Sequence, residues 1–171
     1  KIFLLYSGLT LTIFFILNIF DIRSFNSLNL SMTIISSGGF LPSNDLSSIL
    51  INQRQIIIFS LLMLVSFFSI FFIYNLIFLR NKNLNFFYED IHLFLYFLFI
   101  VTIFFIFFSF DNNFTYSFLS LVSSISNIGI SLEFNQTKLS FIYLILVIIG
   151  GSFFSTSCGL RFLKIYSLTK Y

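Results

Sequence analysis

The chain has 171 residues, of which 58% are hydrophobic and 9% charged, with a formal net charge of +3. Soluble domains typically carry about 25% charged residues, so this composition predicts an integral membrane protein embedded in a lipid bilayer. One cysteine (Cys158) and one histidine (His92) exclude an intrachain disulfide and a Cys/His metal site, and the small net charge requires no nucleic-acid partner.

Four apolar stretches reach the roughly 20 residues that a membrane-spanning helix needs. They cover residues 2–20, 56–79, 91–110 and 139–168. Within each of the two pairs of spans lies a Ser- and Asn-rich segment that is too short to cross a bilayer and closes on a glycine turn. These segments read FNSLNLSMTIISSGGF and FTYSFLSLVSSISNIGI.

The two halves of the chain match at a fixed offset. Gly129 follows Gly39 by 90 positions, and Asp111 follows Asp21 by the same 90. We therefore predict an all-α integral membrane fold of two tandem span–pore-helix–span repeats, residues 1–80 and 81–171, with re-entrant pore loops. Such repeats commonly place a permeation site at their interface.

Basic residues predict the orientation, because cytoplasmic loops of membrane proteins carry an excess of Lys and Arg. The predicted cytoplasmic side holds Lys1, Arg80, Lys82, Arg161, Lys164 and Lys170, against Arg23, Arg54 and Lys138 on the other. A multi-pass location in the plasma or inner membrane follows, with the C-terminus of this chain in the cytoplasm.

The glycine turns are suited to cation binding. Backbone carbonyls can replace the hydration shell of a monovalent cation, and glycine permits the backbone angles that aim them. SSGGF (36–40) suits this role well, and SNIGI (126–130) suits it less well. Either alone could be an ordinary turn, but the matched preceding helices and the 90-residue register favour pore loops.

The last apolar stretch is interrupted by GGSFFSTSCG (150–159). Broken helices at membrane depth are tolerated only where they are buried in protein or line water. The interruption therefore predicts a polar pathway.

These motifs resemble the Trk/Ktr/HKT potassium transporters, which have four such repeats. TIISSGGFLPSND is similar to the second pore loop of that family, VSSISNIGIS stands in the place of the third, and IIGGSFFSTSCGLRFLK resembles its most distinctive stretch, a loop under the filter that restricts ion passage. By this resemblance the chain corresponds to the second and third repeats, a part of a longer protein.

The resemblance implies roles for three groups of residues. The ion-binding selectivity filter is Ser37, Gly38, Gly39, Phe40, Asn127, Ile128, Gly129 and Ile130. The gate loop is Gly150, Gly151, Ser152, Ser155, Thr156, Ser157, Cys158 and Gly159. Two basic residues, Arg161 and Lys164, lie at the cytoplasmic helix end, where they either anchor the helix or interact with the gate loop.

Some positions depart from the family pattern. Ile128 and Ile130 replace the usual Thr and Phe, Phe153 and Phe154 replace small residues, and Ser157 and Cys158 stand where Gly or Ala and Gly are usual. Because the backbone supplies the carbonyls, ion binding remains compatible with these changes, while the preference for potassium or sodium stays open.

The implied function is potassium transport, passive or coupled to Na⁺ or H⁺, with no cofactor and no enzymatic activity. The implied partners are the missing repeats of the same polypeptide, a second copy in a homodimer and a cytosolic nucleotide-binding regulatory subunit. The first alternative is a hydrophobic helical subunit of a respiratory-chain complex, which would carry ionisable residues inside its spans. The second is a membrane anchor or assembly protein, which needs no pore loops.

Overall fold

The computed structural model describes residues 2–43, 45–68, 85–108, 114–130, 140–152 and 155–170. Its regular elements are helices, joined by turns and one longer non-helical segment. They are α1 (Ile2–Ile19), α2 (Ser24–Ser36), one turn of 3₁₀ helix (Leu46–Ser48), α3 (Gln53–Phe67), α4 (Asn85–Phe108), α5 (Phe114–Ser126), α6 (Ser140–Ile148) and α7 (Phe162–Lys170).

The predicted integral membrane fold is wrong: among the described residues, no helix combines the length and the apolar character needed to cross a membrane. A crossing needs about 20 residues, whereas α3 has 15 and α6 and α7 have 9 each. The predicted multi-pass location in the plasma or inner membrane, and the orientation derived from it, are corrected by the same finding.

The predicted second and fourth spans differ most from the observed helices. Helix α3 ends at Phe67, well inside the predicted span 56–79, while residues 69–84 and the predicted repeat boundary lie outside the described residues. The predicted fourth span, 139–168, overlaps two separate helices, α6 and α7. Between them, residues 149–161 are non-helical where they are described.

A tight turn at Asp21 joins α1 to α2. Asp21 adopts a left-handed φ of 59°, a conformation that Asp tolerates better than most side chains. The amide of Ile22 then donates to the carbonyl of Leu17 at 3.3 Å, which closes the end of α1.

A buried glutamine fixes the start of α3. The side-chain oxygen of Gln55 accepts hydrogen bonds from the amides of Ile51 and Asn52 at 3.0 and 3.1 Å. Its side-chain nitrogen donates to the carbonyl of Phe20 at 2.9 Å. Because both ends of the amide are bonded, its burial is compensated, and the first turn of α3 is tied to the end of α1.

The core lies between α3 and α5, which make the most extensive helix–helix contact, followed by α1 and α2. The buried side chains of these helices recur at helical spacing, as expected for the inner face of a helix. Fully buried members include Leu17, Leu30, Ile34, Phe59, Met63, Phe67, Leu119 and Val122. This core holds the C-terminal ends of α2, α3 and α5 close to one another, and the candidate site forms there.

Candidate functional site

The loop after α2 begins with a left-handed serine. Ser37 has φ 49°, and Gly39 has φ 68°. The amide of Gly38 donates to the carbonyl of Thr33 at 3.2 Å, and the amide of Ser37 donates to Ile34 at 3.3 Å. This pair of bonds is a Schellman motif, which satisfies carbonyls that a helix end leaves open.

The loop after α5 has the same conformation 90 positions later. Asn127 has φ 57° and Gly129 has φ 78°. The amide of Ile128 donates to the carbonyl of Ser123 at 3.2 Å, the counterpart of the Gly38–Thr33 bond. Asparagine tolerates the left-handed region well, so both helices end on a polar residue and turn again at a glycine two positions later.

One hydroxyl in each helix also holds its loop against the helix end. The hydroxyl of Thr33 donates to the carbonyl of Phe40 at 2.6 Å. In α5 the hydroxyl of Ser123 accepts from the amide of Ile130 at 2.8 Å. The bonds run in opposite directions but join the same positions of the 90-residue register, so Thr33 and Ser123 shape both predicted filter loops.

The two loops approach each other at Gly39. A methyl group on Gly39 would lie 2.5 Å from the carbonyl oxygen of Ile128, whereas one on Gly129 would meet nothing within 4 Å. Only glycine therefore allows the first loop to lie against the backbone of the second. Of the predicted filter residues, Phe40 is 80% exposed and Ile130 is 2% exposed.

Most carbonyls of these loops accept no hydrogen bond from the described part of the chain. Among the described residues, no hydrogen bond ends on the carbonyl oxygens of six of them. They belong to Ser37, Gly38, Gly39, Asn127, Ile128 and Gly129. The carbonyl of Phe40 does not belong to this group, because it accepts a hydrogen bond from the Thr33 hydroxyl. Six carbonyls that no described residue bonds, on two adjoining loops, offer the oxygens that a weakly hydrated cation prefers.

The two ends of the predicted gate loop are hydrogen-bonded to each other. The amide of Gly150 donates to the carbonyl of Leu160 at 2.8 Å, and the amide of Leu160 donates to Ile148 at 2.9 Å. A side chain at Gly150 would collide with the carbonyl of Cys158. The chain therefore leaves α6, forms a closed loop and enters α7 beside the point where it left.

The closed loop docks on the C-terminal end of α3. The amides of Ser152 and Ser157 donate to the carbonyls of Phe67 and Ser66, each at 3.2 Å. Gly151 lies so close to the Phe67 carbonyl that a side chain there would collide with it. The last carbonyls of a helix have no partner within the helix. Here a segment distant in the sequence supplies the N–H donors.

The same loop also contacts both glycine loops. The hydroxyl of Ser37 lies 3.4 Å from that of Thr156. The side-chain amide of Asn127 donates to the carbonyl of Cys158 at 2.8 Å. The structure thus brings together the three segments that the sequence singles out, while Phe153 and Phe154 lie outside the described residues.

The two basic residues after the loop differ in their contacts. The guanidinium of Arg161 donates to oxygens of Ser152, Ser155 and Ser157 at 3.0–3.2 Å. The exposed side chain of Lys164 has no hydrogen bond among the described residues. Arg161 therefore contacts the predicted gate loop, while the role of both basic residues stays a prediction.

Buried polar groups around the site are uncharged: in the part of the chain that the structure describes, they are Ser, Thr and Gln side chains. No cluster of three potential metal ligands of the His, Cys, Asp or Glu type occurs there. Any ion at this site would be bound by neutral oxygens. Burial raises the pKa of Tyr143, whose hydroxyl lies 3.4 Å from the carbonyl of Ser117, to about 12, so it remains a neutral phenol near pH 7.

Sequence reasoning missed Thr33, Ser123 and the carbonyls of Ser66 and Phe67. The first two carried a signal, because both are hydroxyl residues three positions before the end of their helix and match in the 90-residue register. The carbonyls of Ser66 and Phe67 carried no sequence signal, since every residue has a backbone carbonyl.

Comparisons of the chain with protein-family models, with curated proteins and with solved structures find no match.

Proposed function

We propose that the protein takes part in the transport of potassium or another monovalent cation, binding the ion at backbone carbonyls of the loops after α2 and α5. One observation carries this proposal: six carbonyls on two converging loops accept no hydrogen bond from any described residue. The resemblance of these loops to the filters of Trk/Ktr/HKT transporters supports it. The proposal concerns the ion-binding step and rests on loop geometry.

The type of oxygen favours a monovalent ion. Neutral carbonyls suit a weakly hydrated cation that can exchange its water for them, whereas Ca²⁺ and Mg²⁺ are usually bound with the help of carboxylates. The described buried polar side chains near the site carry no carboxylate. Potassium is therefore the first ion to test, with sodium as its competitor.

The closed loop between Gly150 and Gly159 would restrict passage below the two glycine loops. The closed loop contacts Ser37 in one glycine loop and Asn127 in the other. Movement of the closed loop would therefore shift the ion-binding carbonyls. Two loops supply half of a four-sided ring. Further repeats of the same polypeptide or a second copy would complete it, with a cytosolic nucleotide-binding subunit as a possible regulator.

The binding step can be tested by NMR on protein labelled with ¹³C at glycine carbonyls. Replacing N-methyl-D-glucamine by K⁺ at constant ionic strength should shift the carbonyl resonances of Gly38, Gly39 and Gly129. Gly8, which lies within α1, is the internal control and should not move. If the loop carbonyls stay unshifted, or move only together with Gly8, the binding proposal is wrong.

Transport is tested separately in cells that lack potassium uptake. The parent gene should restore growth at limiting potassium, and Gly39→Ser should weaken the rescue because its side chain meets the Ile128 carbonyl. Rescue that is unchanged in both Gly39→Ser and Gly129→Ser would remove these glycines from the ion path. No rescue by a well-expressed parent protein would count against transport itself.

A further inference from the structure

Four oxygens surround one nitrogen of Arg161. Its Nη1 atom lies 3.0 Å from the carbonyl of Ser152 and 3.2 Å from the carbonyls of Ser155 and Ser157. The hydroxyl of Ser155 lies at 3.2 Å as well. We call these four atoms the serine cage. None of them belongs to a carboxylate, the usual partner of a guanidinium.

The serine cage has more acceptors than Arg161 can use. A terminal guanidinium nitrogen carries two N–H groups, so four oxygens at nearly equal distance compete for them. The hydroxyl of Ser152 is an additional polar group: it is fully buried and has no hydrogen-bond partner among the described residues. Buried polar atoms are normally satisfied, so the Ser152 hydroxyl is one further oxygen available here. The Ser152 carbonyl also accepts hydrogen bonds from the amide and the hydroxyl of Ser155, at 3.1 and 2.8 Å.

The cage is rigid for reasons that do not involve Arg161. Its residues are held by the amides of Ser152 and Ser157 on the end of α3. The hydroxyls of Ser155 and Ser157 share a hydrogen bond of 2.8 Å, and the amide of Gly151 donates to Ser157 at 3.0 Å. The oxygens would therefore keep much of their arrangement if the guanidinium left.

We propose that the serine cage is a monovalent-cation site that Arg161 occupies as a tethered cation. Neutral oxygens around a single positive charge form the kind of ligand set that replaces the hydration shell of K⁺. Arg161 is half-buried, and the part that solvent reaches gives its side chain a route out of the cage. When it withdraws or is removed, a free monovalent cation binds in its place. The proposal uses different oxygens from the Gly39 and Gly129 loops and stands without them.

The test measures thermal unfolding by circular dichroism in three salts at constant ionic strength: N-methyl-D-glucamine chloride, KCl and dilute guanidinium chloride. Arg161→Ala should lower Tm by about 5 °C in the first salt. KCl and guanidinium should restore part of that loss. Arg161→Lys keeps a positive charge on the side chain. Its Tm in N-methyl-D-glucamine chloride should therefore fall less than that of Arg161→Ala.

Two proteins serve as controls. Wild type and Lys164→Ala should show no rise in Tm with guanidinium, since their cage is filled. Any effect of K⁺ at the glycine loops would appear equally in both, so the two proposals are tested separately. A Tm for Arg161→Ala that follows wild type in its response to all three salts would overturn the tethered-cation proposal.

If Arg161→Ala does not fold in N-methyl-D-glucamine chloride, the same salts are tested for recovery of its helical signal. Recovery in KCl or guanidinium supports the site, and failure of both to restore the signal overturns it.

Discussion

The carbonyl oxygen of Ile128 lies against Gly39, at a distance that leaves no room for a side chain on that glycine. The contact joins two loops that are 90 positions apart in the chain and equivalent in conformation. It also makes the two glycines unequal, because the space around Gly129 is open.

Gly39→Ala should therefore destabilise the protein more than Gly129→Ala. Both substitutions place a side chain at positive φ, 68° and 78°, which costs about 1–2 kcal/mol. Only the methyl group at position 39 also meets a carbonyl, which adds about 1–3 kcal/mol. Urea unfolding of both variants measures the difference. Equal losses would mean that the loops do not touch in solution.

Gly151→Ala should separate the closed loop from α3. Its methyl group would collide with the carbonyl of Phe67 and the hydroxyl of Ser157, with an expected loss of about 2–3 kcal/mol. Gly8→Ala is the control: it lies in α1 with nothing within 4 Å of the added methyl group, and it should gain about 0.5–1 kcal/mol. Hydrogen exchange at the amides of Ser152 and Ser157 should rise in Gly151→Ala alone, and unchanged exchange would contradict the docking.

Asn127→Asp should cost more stability than Asn127→Gly at neutral pH. Glycine accepts the left-handed φ of 57° and loses only the hydrogen bond to Cys158, worth about 1 kcal/mol. Aspartate keeps the shape but places a carboxylate beside that carbonyl. Acidifying below about pH 3.9, where a model Asp becomes protonated, should narrow the gap between the variants. A gap that is constant with pH would argue against the Asn127–Cys158 contact.

Two tyrosines should make the protein less stable in alkali. Burial raises the pKa of Tyr96 and Tyr143 to about 12, while the unfolded chain ionises near pH 10. Their contribution to stability is complete below about pH 10 and is lost as pH rises towards 12. In a titration with base, the near-ultraviolet absorbance of tyrosinate should show a late phase near pH 12. The amplitude of that phase should fall by one tyrosine in Tyr96→Phe and by one tyrosine in Tyr143→Phe. A late phase of unchanged size in the double variant would show that other tyrosines cause it.

The glycine turns and the break in the last apolar stretch could be predicted from the sequence because their signals are local. Glycine after a polar helix end, at Gly39 and Gly129, indicates a turn wherever it occurs. The end of α3 at Phe67 could not, since the apolar run continues to residue 79 without a helix-breaking residue. The membrane-spanning prediction rested on composition and on the length of the apolar stretches, and neither of these reports where a helix ends.

The sequence left two roles open for Arg161 for another reason. A basic residue at the start of a helix has the same sequence signal whether it faces solvent or bonds to a neighbouring loop, and Lys164 three positions later has that signal too. Only the positions of the serine oxygens separate them.

The docking of the closed loop on α3 also sets an order for the folding of this chain. The carbonyls of Ser66 and Phe67 find their partners at Ser157 and Ser152, about 90 residues later. During synthesis, α3 is made long before those partners exist, and contacts between distant residues form slowly. The C-terminal end of α3 therefore lacks these partners until residues 152–157 have been made. A ribosome that stalls before residue 150 would release a chain in which α3 can form but the candidate site cannot.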